Sequence, residues 1–356
     1  MHSCMICMMY DMYLYCFRIL LDRGLDVNKV AKSGGTAIMF SAGGGHNETT
    51  AFLIERGADV NVVVLATPEY LENLAKVIAE SKEEVEAHKD GVTALSVAAQ
   101  GGHLSTMKIL VEAGAIVDIA DDEDMTPLLN TMKGNFAEAA YYLVEHGANP
   151  DDIYIDEKSK PHNLLMDAVV ASNTNFSLLL IEKGANLTYV DDDGVTIITQ
   201  AAYQGQFNVV QLLLEKGADP STPNKEGINA LIAAASEGYN EIVELLINSN
   251  KVDINTQDKD GTNALMAAAV RGHKEVINLL VSKGANVNAQ NVDGHTALMF
   301  AYNGKNQVET LFDKYSEYMK DSAENSTKII KEALQTHVDV VKFLIKSGAN
   351  PDIKVW

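Results

Sequence analysis

The sequence predicts an all-α protein assembled from stacked pairs of short antiparallel helices. Three observations predict it. Glycines close leucine-rich phrases at a spacing near 33 residues, a Thr or Asn stands before each alanine- or leucine-rich stretch, and a further glycine divides many of these phrases in two. The stretch "KDGTNALMAAAVRGHKEVINLLVSKGANVN" (residues 259–288) carries all three, and "KDGVTALSVAAQGGHLSTMKILVEAGAIVD" (89–118) says much the same. Glycine inside a helix costs about 1 kcal/mol relative to alanine, so Gly272 and Gly284 read as designed breaks.

The period can be counted. The closing residue is Gly24, Gly57, Gly114, Gly147, Gly184, Gly217, Asn250, Gly284 and Gly348, at steps of 33, 57, 33, 37, 33, 33, 34 and 64. A helix often stops at a residue with left-handed dihedrals, which glycine adopts freely and asparagine tolerates. Helix starts are marked by Thr36, Thr93, Thr126, Asn163, Thr196, Asn229, Asn263 and Thr296, whose side chains can accept from exposed backbone N–H groups. Two residues before six of these lies a turn glycine; Asp124 and Pro161 replace it in the others. Each unit is therefore a turn, a short helix, a tight break, a second short helix and a stop. Helices of about nine residues do not stand alone, so the units must bury their apolar faces on one another.

Taken in order, the elements are these. Residues 1–28 hold a partial first unit that keeps only its second helix, "YLYCFRILLDRG". The long step after Gly57 contains an insertion at 62–88, where Tyr70, Leu71, Leu74, Val77, Ile78 and Val85 follow a 3.6-residue period after the start signal Thr67-Pro68. An amphipathic helix is expected there. The unit closing at Gly184 lacks both internal glycines and is expected to be the weakest. Within the last unit, 305–335 reads as a helical hairpin, with stripes at Val308, Leu311, Phe312, Tyr315, Tyr318 and Met319 and at Ile329, Ile330, Ala333 and Leu334. Both insertions either pack on the array or dock a partner. The last unit shows no obviously polar outer face, and is expected to continue into further chain or against a partner.

Composition bounds the function. Of 356 residues, 28 are Lys or Arg and 49 are Asp or Glu, a formal charge of −21 that repels phosphate backbones and anionic membrane surfaces. No nucleic-acid partner and no membrane insertion are expected. Cys4, Cys7 and Cys16 make no disulfide framework and suit a reducing compartment, so a soluble cytoplasmic protein is expected. His2, Cys4, Cys7 and Cys16 have zinc-ligand chemistry, but the second half of a zinc-ribbon pattern is missing. The acidic clusters at 121–124 and 191–193 lack the glycine and closing glutamate of a calcium loop. No metal, no cofactor and no catalysis are expected, since no nucleophile elbow, phosphate loop or zinc-protease motif is present. His46, His103, His273 and His337 recur at the start of the second helix and read as scaffold.

These residues resemble the ankyrin-repeat family. Its motif G-x-T-P-L-H-x-A-A-x-x-G-H-x-x-V-V-x-L-L-L-x-x-G-A-x-x-N is matched by "GTNALMAAAVRGHKEVINLLVSKGANVN" (261–288). It is also followed by "TPLLNTMKGNFAEAAYYLVEHGAN" (126–149) and "TIITQAAYQGQFNVVQLLLEKGAD" (196–219). The resemblance covers about 300 residues. It implies one array over 1–356, an ankyrin-repeat solenoid of about nine 33-residue helix–turn–helix units with the two helical insertions. The family's histidine after T-P-L is replaced throughout, by Met39, Ser96, Leu129, Met166, Thr199, Ile232, Met266 and Met299, so methionine packing is expected in its place.

The resemblance also implies a non-catalytic protein-binding scaffold, read through fingertip turns and the exposed side of each first helix. The fingertips would be Asp122, Glu123 and Asp124; Asp192 and Asp193; Lys225 and Glu226; Lys259 and Asp260; and Asn291 and Asp293. The helix face would include Asn130, Gln200, Tyr203, Gln204, Ser236, Glu237, Val270, Arg271 and Phe300. Carboxylates at the tips point to a protein partner with a basic surface. The alternative is a regulatory or targeting subunit of an enzyme whose catalytic part is on another chain.

Overall fold

The computed structural model describes residues 14–15, 17–31, 34–63, 91–155, 161–316 and 324–353, with side chains omitted at 154–155, 161–162, 307–316 and 324–331. The 64–88 part of the first insertion, and His2, Cys4, Cys7 and Cys16, lie outside the described residues. The chain divides into two compact units, 1–164 and 165–356.

In the first unit, residues 17–22 are helical, followed by three helix pairs. These are α1 (Ala37–Gly43) with α2 (Asn47–Glu55), α3 (Ala94–Gln100) with α4 (Leu104–Glu112), and α5 (Pro127–Lys133) with α6 (Ala137–Glu145). A short hairpin then pairs β1 (Ile153–Ile155) with β2 (Pro161–Asn163), antiparallel, with Ile153 opposite Asn163. In the second unit the pairs are α7 (Leu164–Val170, entering from the boundary) with α8 (Thr174–Glu182), α9 (Ile197–Tyr203) with α10 (Phe207–Glu215), α11 (Ala230–Glu237) with α12 (Asn240–Asn248), and α13 (Ala264–Arg271) with α14 (Lys274–Ser282). The last pair is α15 (Ala297–Ser316) with α16 (Glu324–Lys346). The fold is the all-α ankyrin solenoid expected from the repeat.

The stop signals hold at every position. The eight closing glycines have φ between 84° and 101°, and Asn250 has 54°. The next residue bonds back to seal the last turn, as Ala285 N does to Leu280 O at 3.0 Å. The start signals hold with exceptions. Thr93, Thr126, Thr196, Asn229 and Asn263 accept from the backbone three residues on. Thr36 makes no such bond, and its Oγ1 is buried without a hydrogen-bond partner. Asn163 ends strand β2, so in that repeat a strand leads directly into the first helix.

Packing follows from side-chain size. Leu95, Leu128, Leu231 and Leu265 are buried from the first helices, and Leu110, Leu143, Leu246 and Leu280 from the second. Six residues after five of the eight caps, Ala42, Ala99, Ala202, Ala235 and Ala269 are at 0% exposure. A methyl group there lets one first helix lie close against the next: α1 on α3, α9 on α11, α11 on α13 and α13 on α15. Tyr302 occupies the matching position of α15 and is 53% exposed. Met39, Met166 and Met266 fill the histidine slot of the family motif and are buried, as expected.

The 305–335 region was expected to be a helical hairpin, and its described residues are helical: α15 runs 20 residues straight through Gly304, and α16 runs 23 residues into the repeat's own second helix. The repeat's helices have grown longer. Gly304 has no left-handed break to impose, because its φ is not positive as those of Gly272 and Gly238 are.

The scaffold reading of the histidines is explained by geometry. A carbonyl oxygen only accepts, and His103 Nε2–H donates to Gly43 O at 3.0 Å, His273 Nε2–H to Ser236 O at 3.0 Å, and His337 Nε2–H to Val270 O at 3.3 Å. Gln206 Nε2 reaches Val169 O in the same way at 2.6 Å. Each bond ties a second helix to the end of the preceding first helix. Burial holds the His273 imidazole below its usual pKa.

Candidate functional site

The fingertips are built by one recurring device. In each, an Asp or Asn side chain accepts two backbone N–H groups and closes the turn. Asp121 Oδ1 takes Glu123 N at 3.0 Å and Met125 N at 2.9 Å. Asp191 takes Asp193 N and Val195 N, at 2.9 and 2.8 Å. Asn224 takes Glu226 N and Ile228 N, both at 2.9 Å. Asp258 takes Asp260 N and Thr262 N, at 3.0 and 2.7 Å. Asn291 takes Asp293 N and His295 N, at 3.1 and 2.7 Å. One carboxylate of each acidic cluster is thus a turn former, a role that cluster counting in the sequence missed. Asn291, expected as a contact residue, is engaged inside its own turn.

Successive tips of the second unit are also stitched together through the main chain. Lys225 N donates to Asp193 O at 2.8 Å, Lys259 N to Glu226 O at 2.9 Å, and Val292 N to Asp260 O at 2.9 Å. Lys225 Nζ adds a bond to Asp192 O. This close approach explains the turn glycines beyond their dihedrals: a Cβ on Gly261 would sit 2.8 Å from Val292 N, and one on Gly91 would sit 2.7 Å from Asp121 Cα. Burial raises the Asp258 carboxyl above its usual pKa; the bonds from Thr262 and Asp260 oppose this, while Asp260 and Glu226 add repulsion.

On the rest of the tips, Asp122, Glu123, Asp124, Asp192, Asp193, Lys225, Glu226, Lys259, Asp260 and Asp293 are exposed. The first-helix candidates also reach the surface. Tyr203, Val270 and Arg271 are exposed, and Asn130, Gln200, Gln204, Ser236, Glu237 and Phe300 are half-buried. Arg271 Nη1 pairs with Glu237 Oε2 at 2.5 Å, bridging α13 and α11. Ser236 Oγ donates to Ala233 O at 2.9 Å. At the register of Tyr203 and Val270, α7 presents Val170, which is exposed and which sequence reasoning passed over. In the first unit the same register holds Gly43, and beside it lies a groove of about 420 Å³ with Phe40 as an exposed wall. The signal for both was available, because seven residues after the cap always falls on this face.

Among the described residues, no group of three or more His, Cys, Asp or Glu is placed to hold a metal ion. Among them, too, no helix is long and apolar enough to cross a membrane.

Comparison with known proteins agrees with this construction. A family profile described as ankyrin repeats (three copies) matches residues 64–154, 152–224 and 216–291. The chain is similar to the ankyrin repeat and KH domain-containing protein mask-1 of Caenorhabditis elegans, 29% identical over 138 residues that make up 36% of this chain and 5% of that protein. It is also similar to the human ankyrin repeat and KH domain-containing protein 1, 34% identical over 109 residues, 31% of this chain and 3% of that protein. The Drosophila melanogaster protein mask matches at 31% over 110 residues, 31% of this chain and 2% of that protein. The chain therefore spans only a few per cent of the length of these relatives. With the helix pairs, the glycine stops and the stitched fingertips all accounted for, the chain belongs to the ankyrin-repeat family.

Proposed function

We propose that this chain is a non-catalytic protein-binding module, and that in its second unit the partner rests on the exposed side of the first helices and on the fingertips. The observation that carries this reading is a division of labour within each first helix. Ala and Leu residues do the packing, at 0–1% exposure in α9, α11 and α13 for Ala202, Leu231, Ala235, Leu265 and Ala269. The side chains on the open face are different in every repeat: Gln200 and Tyr203 on α9, Ser236 and Glu237 on α11, Val270 and Arg271 on α13. Chemistry that varies while packing repeats is what a surface read by one partner requires.

A basic partner surface belongs to the same reading. Asp122, Glu123, Asp124, Asp192 and Asp193 are exposed carboxylates, and they would steer a Lys/Arg-rich surface. A cytoplasmic location is likewise proposed, from the three cysteines and the charge of −21. The test is affinity capture with the parent chain and with a Tyr203→Asp, Val270→Asp variant of the same thermal stability. A protein retained by the parent and lost by the variant is the expected result. Identical captured sets would place binding elsewhere on the molecule.

A further inference from the structure

We propose that the groove between α1 and α3 is an anchor pocket for one large apolar side chain of a partner segment that carries lysine or arginine beside it. This rests on the protein-binding reading above and deepens it for the first unit. The pocket exists because of an omission. At the register where α9 and α13 present Tyr203 and Val270, α1 ends in Gly43 while α3 presents Gln100; the side chain missing at Gly43 leaves a groove of about 420 Å³. Its walls are Met39, Phe40, Val92 and Val97, with Gln100 as the one polar side chain. Phe40 stands 52% exposed, a large aromatic surface in water with nothing described upon it. The volume lies at the low end of the range that small organic ligands occupy, and is ample for one Leu, Met or Phe side chain together with part of its flanking backbone.

Charge complementarity selects the occupant. Val92 follows Gly91, whose backbone touches the acidic fingertip: a Cβ at Gly91 would lie 2.7 Å from Asp121 Cα. Asp122, Glu123 and Asp124 are exposed on that tip. An apolar anchor seated in the groove therefore has carboxylates beside its flanking residues, and cations there gain where anions lose. The chain's own 62–88 segment is the other apolar candidate, since it joins the array next to Val92. It carries Glu69, Glu72, Glu80, Glu83, Glu84 and Glu86 against Lys76 and Lys82, so its charge has the wrong sign for this site.

The site can be filled without unfolding the protein. A Cβ on Gly43 would meet only Val97, at 3.6 Å, and Gly43 is a helical residue whose φ is not positive. Gly43→Leu should occupy the groove while leaving the helix at least as stable. The probes are short labelled peptides in which one central leucine is flanked on both sides by lysines, with controls carrying serine for leucine or glutamate for lysine. Fluorescence anisotropy on the full chain should rank the leucine–lysine peptide first. Affinity should fall about tenfold in Gly43→Leu, the cost of losing one buried apolar anchor. Asp122→Asn with Asp124→Asn should weaken it mainly at low salt. Equal binding of the leucine and serine peptides, or no loss in Gly43→Leu, overturns the proposal. So does tighter binding in Leu71→Glu with Leu74→Glu, which would mean that the chain's own insertion fills the groove. The capture experiment on Tyr203 and Val270 reads the second unit, so its success or failure is separate from this result.

Discussion

Asp258 is a carboxylate doing work for which the neighbouring repeats use an amide. Asn224 and Asn291 close the equivalent turns with the same pair of backbone bonds. Asp258 accepts its two bonds as well as they do, but burial raises its pKa, and Asp260 and Glu226 repel it. A raised folded-state value means that ionisation is penalised in the fold, so stability from this group declines as pH rises through that value. Asp258→Asn keeps the acceptor and removes the charge. It should stabilise the protein by a few tenths of a kcal/mol at neutral pH, the scale of partly exposed substitutions. The gain should vanish by about pH 2, well below the ordinary carboxyl value of 3.8, where the group is protonated in both states. Urea titrations at the two pH values read this directly, and a gain that persists in acid would assign the effect to something other than charge. The turn itself was only half legible in the sequence. The glycines marked where it lies, but nothing in a run such as "DDED" says which carboxylate points inward, because that is decided by which oxygen meets the two N–H groups.

The junction between the two helices of a repeat shows how one element dictates the sequence of the next. A ring from the following repeat lies flat on the junction glycine: His103 over Gly45, Phe136 over Gly102, Tyr239 over Gly205, His273 over Gly238 and His337 over Gly272. A Cβ on Gly238 would sit 2.5 Å from His273 Nδ1. Ser172 holds the matching position before α8 with φ 56°, and the next repeat offers Gln206 there instead of a ring. The sequence showed that this repeat lacks its glycines; the reason appears only when the neighbour is seen to be an amide. Ser172→Gly should therefore stabilise by about 1 kcal/mol, relieving a left-handed residue that carries a side chain. Gly238→Ala should cost about 1–3 kcal/mol, by overpacking against the ring. Equilibrium unfolding of the two variants checks the pair, and equal effects would separate the glycine from the ring. The period and the stops were legible because they are local. The helical stripes on either side of "KDSAENST" were legible as well, but the continuity of α15 and α16 with the repeat's own helices was not, because it depends on the backbone at Gly304 and not on side-chain periodicity.

At the scale of the whole molecule, two compact units meet at residues 164 and 165, inside the repeat whose sequence departs most from the others. Stability in a repeat array is a sum of unit terms and nearest-neighbour terms, so a poor unit is where cooperativity should fail first. Native-state hydrogen exchange should show α7 and α8 opening before α9 to α14. Uniform protection across both units would count against it. The repeats are also clasped by side chains that reach over long stretches of sequence. Asn61 Nδ2 donates to Gly114 O at 3.0 Å, and its Oδ1 accepts from Ile116 N at 2.8 Å. Asn288 does the same to Gly348 O and Asn350 N, at 3.1 and 2.8 Å. The identical clasp forms between Asn28, Gly57 and Asp59, where no extra residues intervene. Lengthening a flexible loop costs only about 0.6 kcal/mol per doubling, far less than such a clasp and the helix packing beneath it hold in place. Neighbouring repeats recognise one another without regard to what is threaded between them. The chain thus owns ports at which new sequence can be gained, lost or exchanged while the array behind it stays in register, and a binding specificity can be rebuilt there without refolding the rest.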